Sequence, residues 1–416
     1  MVTSQFRSLR RHLYALAFAN YLGPLYAMYT LLLNDSGISA AQISTVFLTW
    51  ALVAIALEIP SGALADRMDR RHLIAAGYVS RAMGISIWLI WPTYTGVLAG
   101  TALWALHSAS ASGTWEAMVH DELTAVDEDH RYATVMARMG QLINVGVAVG
   151  AVMALLLLRL GVSLVFLGWA TVVIHVASIA LALTLPNVRW VAAGEHGHVP
   201  WSYRAWWGTL REGVAQAHRL PLLTKMIAIG ALLEGLFFLD EYVPLIARDR
   251  GASNLIVPMV VLVVWLGLIA GGELAARRPN LSGHTLGTLL VVGTLAMFAA
   301  LAADGVWALS LIGLGYVTLE VAWILSDARM QERTPAATRA TVTSVRGFAS
   351  GLVGAAAFAL VGALAQGDDP TPGLFVVVAM FVVAGLLIYR WLPPSKAHLD
   401  EPRQEAVVAT GVKLGD

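Results

Sequence analysis

Apolar residues run through this chain in blocks of about twenty, divided by short polar stretches. A helix that crosses a bilayer needs roughly 20 apolar residues. Twelve stretches qualify: 12–33, 41–64, 72–91, 96–117, 133–158, 162–185, 222–246, 255–275, 284–303, 306–326, 339–365 and 373–393. The longest polar stretch, Pro186 to Leu220, falls between the sixth and the seventh. The pattern therefore predicts an all-α membrane protein of two six-helix bundles, residues 1–185 and 221–393, with a cytoplasmic linker at 186–220 and a cytoplasmic tail at 394–416. Trp201, Trp206, Trp207 and Arg211 form an amphipathic run within the linker, expected to lie along the membrane surface. His196 and His198 read as part of the solvated linker, so no metal site is expected.

The two halves repeat one another. Gly62-Ala63-Leu64-Ala65-Asp66-Arg67 ends the second span, and Gly272-Glu273-Leu274-Ala275-Ala276-Arg277 ends the eighth, 210 positions on (277 − 67), without the Asp. Arg131 and Arg138 begin the fifth span as Arg339 and Arg346 begin the eleventh, at a constant offset of 208 (339 − 131 and 346 − 138). Such repeats are typical of transporters, whose substrate path lies at the repeat interface near midplane.

Composition narrows the class. Hydrophobic residues make up 58% of the 416 and charged residues 13%, against about a quarter charged in soluble domains. A net charge of zero argues against a nucleic-acid partner. The absence of cysteine excludes disulfides, thiolate metal sites and cysteine nucleophiles. Met1 to Arg11 is short and basic, and the apolar run after it is long enough to stay in the membrane, so no cleaved signal peptide is expected. Only Lys225, Lys396 and Lys413 among 27 basic residues are Lys, leaving 24 Arg (27 − 3), a bias that suggests a GC-rich bacterial genome. Alternate loops carry the arginines, among them Arg67, Arg70, Arg71, Arg131, Arg277, Arg278, Arg329 and Arg333, so the positive-inside rule places both termini in the cytoplasm. The expected location is a bacterial cytoplasmic (inner) membrane.

Gly62-Ala63-Leu64-Ala65-Asp66-Arg67-Met68-Asp69-Arg70-Arg71 resembles the loop 2–3 signature of the major facilitator superfamily, with Asp69 where that pattern has a second Gly. The resemblance implies a twelve-helix transporter fold. It also implies that Gly62, Asp66, Arg67, Arg70 and Arg71 latch the two halves in the outward-open state, with Arg346 on the facing helix. An equal reading of Arg70 and Arg71 is that they only set topology. Substrate would line the first, fourth, seventh and tenth spans, the third, sixth, ninth and twelfth being outer supports, which makes His175 structural.

Ionisable residues at membrane depth are costly and carry functional hypotheses. Counted at about 1.5 Å per residue, three pairs match in depth on neighbouring spans: Glu58 with Arg81, Glu116 with Arg138, and Glu320 with Arg346. The first is expected to be structural; the other two divide evenly between structure and function. Glu234 has no matching Arg on the next span, which makes it the first candidate for carrying a proton, ahead of His107, Glu116 and Glu320. Asp240 and Glu241 lie nearer the outer end and are expected to meet Arg248 or Arg250. The cavity candidates are Asn20, Tyr21, Tyr26, Trp104, Trp115, Tyr316 and Trp323, with Tyr29 beside them and Pro24 breaking the first span. Aromatics and carboxylates on several inward helices suit an amphipathic or cationic organic substrate.

The leading expectation is a secondary active transporter, proton-coupled and exporting small organic molecules such as drugs or secondary metabolites. Its partners are that substrate, protons and the lipid bilayer; it acts as a monomer and needs no cofactor. The fifth span holds Gly140, Gly146 and Gly150 but lacks the proline of the G-P-x-x-G-G element of the family's antiporters. The alternatives are a proton-coupled importer of a nutrient or metabolite and a non-transporting sensor of the same fold. No H-E-x-x-H, G-x-S-x-G or Walker A sequence is present, so neither an intramembrane enzyme nor direct use of ATP is expected.

Overall fold

The computed structural model describes residues 2–65, 69–111, 114–125, 127–185, 208, 211, 221–334 and 339–395. Inside those helices, the side chains of residues 2–5, 58–65, 111, 117, 133 and 339–341 lie outside the description. The linker, apart from Gly208 and Arg211, and the tail from 396 are likewise outside it.

The first half comprises α1 (Val2–Ala19), α2 (Tyr29–Asp35), α3 (Ala40–Ala65), α4 (Arg70–Ile90), α5 (Tyr94–Ala111), α6 (Thr114–Thr124), α7 (Tyr132–Arg159) and α8 (Leu164–Leu183). The second comprises α9 (Pro221–Gly235), α10 (Val243–Asp249), α11 (Val257–Arg277), α12 (Gly283–Ala302), α13 (Ser310–Arg333), α14 (Arg339–Leu364) and α15 (Thr371–Trp391). Eleven stretches among the described residues are long and apolar enough to cross a membrane. The twelfth expected position, the fourth span, is filled by α5 followed by α6. The outer faces are apolar: Leu156, Val173, Leu295 and Leu386 are all more than half exposed. That is the surface a lipid-embedded bundle requires, since its helices satisfy their own backbone groups and offer lipid only side chains.

Local chemistry fixes the turns. Ser163 accepts from Phe166 N and Ser282 from Thr285 N, capping α8 and α12. Asp69 does the same for α4, its carboxylate accepting from Arg71 N at 3.0 Å, so the residue that replaces the family's glycine serves as a helix cap. Gly37 and Gly251 take φ of 81° and 79° in the turns after α2 and α10, and Gly161 and Gly367 take 81° and 65° in those after α7 and α14. A left-handed glycine thus closes the same two turns in each half.

Within the first half α4 packs on α5 and α8, α3 on α5, and α1 on α7; within the second, α12 packs on α13 and α15, α11 on α13, and α9 on α13 and α14. The halves meet where α3 packs on α14 and α7 on α11. These are the second span against the eleventh and the fifth against the eighth, two interfaces that exchange under the sequence repeat.

The first and the seventh spans are each broken by a 3₁₀ turn, and the two correspond. The first breaks between α1 and α2 through a 3₁₀ turn at Pro24–Ala27; the seventh breaks between α9 and α10 through one at Phe237–Tyr242. The first was expected from Pro24, the second was not. Sequence also assigned Arg329 and Arg333 to a loop, but α13 runs through both. Arg329 is 2% exposed and donates to the carbonyl of Leu281, holding the turn before α12.

Candidate functional site

A helix that breaks inside a membrane frees backbone groups that must find partners. At the second break Tyr316 of α13 supplies them. Its hydroxyl accepts from Asp240 N at 2.9 Å and lies 2.7 Å from the Phe237 carbonyl and 3.0 Å from Asp240 Oδ1, to either of which it can donate. At the first break Thr171 of α8 accepts from Leu25 N at 3.0 Å. Arg81 of α4 closes the C-terminal end of α1, its Nη1 donating to Asn20 O at 3.0 Å and Asn20 Oδ1 at 3.2 Å. A cation at a helix C-terminus meets the negative end of the helix dipole. Room for this arrangement comes from Gly146 of α7, where a Cβ would stand 2.2 Å from the carbonyl oxygen of Phe18.

Arg81 is fully buried, with Nε and Nη2 unbonded, and its guanidinium is covered by rings. Those of Tyr21, Tyr26 and Trp104 have centroids 4.2, 4.8 and 4.9 Å from its central carbon. Each such contact contributes about 1 kcal/mol, more when desolvated. Tyr26 is fixed from behind by His175, 2.7 Å from its hydroxyl.

On their other side these rings wall a cavity of about 560 Å³ between the halves, at the level of both breaks. The first half gives it Tyr21, Tyr26, Tyr29, Trp88 and Trp104; the second gives Trp265, Phe238 and three carboxylates, Glu234, Asp240 and Glu241. No Lys or Arg lines it among the described residues. Asp240 and Glu241 sit in the break itself, and Tyr29, just past the other break, donates its hydroxyl to Glu241 Oε2. Glu234 Oε2 accepts from Ser350 at 3.0 Å and lies 3.3 Å from Arg346 Nε.

Among the described residues four polar contacts join the halves, each at or beyond the breaks on the side away from the chain's described ends. Besides Tyr29 with Glu241, Ser44 meets Tyr242 at 2.9 Å, Arg248 pairs with Asp35, and Ala40 N donates to Asp368 at 3.3 Å. Phe47 packs edge-on against Tyr242 and against Phe358. The far face is sealed here, and the cavity reaches from the seal toward the opposite face as far as Ile55 and Gly347.

Several expected placements change. Tyr21, Tyr26 and Trp104 line the cavity with Tyr29, whereas Asn20 and Tyr316 brace the breaks. Trp115 packs in the apolar cluster around Met118, and Trp323 lies edge-on behind Phe237, 6.2 Å between centroids. Glu234 is in the cavity but paired, because Arg346 comes from α14, adjacent to α9 in space and not in sequence. Arg346 therefore does not meet Glu320, which is buried with its stem against Gly271 and has no ion pair among the described residues. His107 is buried outside the cavity, its Nε2 3.2 Å from Arg81 Nη1. Glu116 and Arg138 are both exposed, and Arg138 donates to Gln141 at 2.8 Å. Asp240 and Glu241 turn inward at the break. Arg248 therefore serves Asp35, and Arg250 donates to the carbonyls of Ala300 and Leu301 at the end of α12.

In the loop 2–3 signature Arg70 pairs with Asp121 at 2.5 Å and Arg71 with Asp69 at 2.6 Å, partners from the same half. Asp66, Arg67 and the side chain of Glu58 lie outside the described residues, as do the surroundings of Gly62.

The same architecture recurs in solved transporters. A D-xylose-proton symporter superposes with a TM-score of 0.73 at 12% identity, over 95% of this chain and 99% of its own. A nucleoside transporter gives 0.67 at 15% identity, over 91% and 98%. A bacterial homolog of the human lysosomal transporter Spinster, inward-facing and unoccupied, gives 0.64 at 16% identity, over 92% and 96%. No curated protein matches the chain in sequence. The family model of the Major Facilitator Superfamily matches residues 13–359, and with that match this chain belongs to the superfamily.

Proposed function

We propose that the protein is a proton-coupled exporter of amphipathic organic cations, working by alternating access. The observation that carries this reading is the cavity's composition: three carboxylates on one wall, aromatic faces on the other, and no basic side chain among its described lining. Aromatic faces and buried carboxylates attract an organic cation and give an anion nothing to bind. The preponderance of apolar lining, such as Val46, Ala54, Ile55 and Val261, gives a sugar or nucleoside few polar partners.

The moving bodies in this reading are residues 1–185 and 221–393, tied by the 186–220 linker, in a monomer of a bacterial inner membrane with both termini cytoplasmic. The sealed face is then extracellular, and the cavity faces the cytoplasm. A cation enters between the aromatic wall and Glu234, Asp240 and Glu241. Rocking of the halves breaks the Tyr29–Glu241 and Ser44–Tyr242 contacts and opens the far side. Protons arriving there replace the cation on the carboxylates, and the neutral site resets. Cation and proton compete for the same oxygens, so one gradient drives the other. Asp66, Arg67, Arg70 and Arg71 serve as the latch of the outward-open state.

Proteoliposomes carrying a pH dye in the lumen test this. Tetraphenylphosphonium is expected to elicit proton flux that Glu241→Gln and Glu234→Gln abolish. Proton flux with a sugar or nucleoside, and none with the cation, would replace export by import.

A further inference from the structure

Glu234 faces the cavity with 38% of its side chain exposed, while the side chain that carries the guanidinium beside it is 10% exposed. That guanidinium, of Arg346, touches two carboxylates unequally. Its Nη1 donates to Asp327 Oδ1. Its Nε lies 3.3 Å from Glu234 Oε2 but makes no aligned hydrogen bond. Glu234 Oε2 instead accepts from Ser350, one turn along α14 from Arg346. The stem of Arg346 lies across Gly230 of α9, where a Cβ would stand 2.7 Å from its Cδ. A glycine there leaves the long side chain space between α9 and α13 without moving either helix.

Charge accounting turns this geometry into a device. A buried arginine stripped of its counter-ion is strongly destabilising, so a cation arriving at Glu234 cannot expel Arg346 into an apolar site. With Asp327 already hydrogen-bonded to Nη1, the guanidinium has a carboxylate to keep when it gives up Glu234. The weaker contact is the one on the cavity side, where the substrate arrives.

We propose that Arg346 is an internal competitor for Glu234: it neutralises this carboxylate in the empty cavity and yields it to a cationic substrate, retaining Asp327. The inference rests on the cation reading of the cavity and adds a selectivity rule to it. A neutral molecule of the same shape offers nothing to replace Arg346, so it binds without freeing Glu234.

The test is calorimetric titration of purified full-length protein with tetraphenylphosphonium. R346Q removes the competitor and is expected to bind the cation about tenfold more tightly than wild type, whereas D327N leaves Arg346 with Glu234 alone and is expected to bind about tenfold more weakly. In the R346Q background, D327N is expected to change nothing, which separates competition from a general loss of negative charge. Shifts of R346Q and D327N in the same direction, or a D327N effect that persists without Arg346, overturn the inference and leave the cation reading standing. Should R346Q not fold, D327N decides alone: unchanged or tighter binding overturns the inference. Binding in neither wild type nor R346Q overturns the cation reading and this inference with it.

Discussion

Tyr29 and Glu241 join the two halves of the molecule at the level where both are broken, the hydroxyl of one donating to the carboxylate of the other. Tyr29 follows the 3₁₀ turn of the first span, and Glu241 lies inside that of the seventh. The contact is therefore a wall of the cavity and a part of the far-face seal at once. A hydrogen bond to a charged acceptor contributes about 1.5 kcal/mol or more, so Tyr29→Phe should favour opening of the far face about tenfold. The chain has no cysteine, which makes Val46→Cys, in the cavity wall beside the seal, a unique reporter. Its labelling by an impermeant maleimide applied from the far face should accelerate about tenfold in Tyr29→Phe. An unchanged rate would remove Tyr29 from the seal.

Tyr316 and Thr171 bind backbone groups freed by the two breaks. Thr171→Val keeps the shape and removes the hydroxyl that Leu25 N–H bonds, a loss of about 2 kcal/mol; Tyr316→Phe removes the hydroxyl that accepts from Asp240 N–H and donates to the Phe237 carbonyl or Asp240 Oδ1, and should cost about twice that. Thermal unfolding in detergent should show the order Tyr316→Phe, Thr171→Val, wild type. The exposed Thr184→Val serves as a neutral control. A Tyr316→Phe protein that keeps its stability but loses cation affinity would return Tyr316 to the substrate's side of the wall.

Arg81 acts through shape as well as charge. Its planar group both closes α1 at Asn20 and lies against three rings, a combination an ammonium cannot reproduce. Arg81→Lys and Arg81→Gln should therefore both lower the unfolding temperature, each by roughly 3 kcal/mol of stability. Full rescue by lysine would show that charge alone suffices.

What the sequence revealed and what it hid divide along one line. Lengths of apolar runs are a local property, and each expected span falls mainly on helix among the described residues. Pro24 likewise announced the first break, because proline lacks the N–H that a continuing helix needs. The second break was hidden, although Asp240 and Glu241 precede Pro244 closely. Its cause is Tyr316, which lies on another helix and accepts the N–H that the break sets free. The pairing of Glu320 with Arg346 failed for the same reason. Matching depths on consecutive spans joined Glu320 to Arg346, but α14 packs on α9 and α3, and its arginine turns to Glu234 and Asp327. Neighbours in a bundle are set by packing, to which a single sequence gives no direct access. The signature residues Arg70 and Arg71 were legible as cations in the loop after the second span, and their partners Asp121 and Asp69 were not.

The seal has a second component of a different kind. Asp35 and Arg248 pair across the halves at the far rim, with side chains 48% and 25% exposed, and Arg248 also holds Asn254 at 2.9 Å. Solvent screens a rim pair, so it contributes roughly 0.5 kcal/mol, well below the buried Tyr29–Glu241 contact. Asp35→Asn should then raise Val46→Cys labelling only about twofold, and about 0.5 M salt should erase the difference. The swap Asp35→Arg with Arg248→Asp should restore the wild-type rate, since it reverses the pair and keeps the attraction. If Asp35→Asn instead matched Tyr29→Phe, the rim pair and not the hydrogen bond at the breaks would hold the far face shut. Opening would then be decided outside the cavity, where neither cation nor proton on Glu241 has any influence.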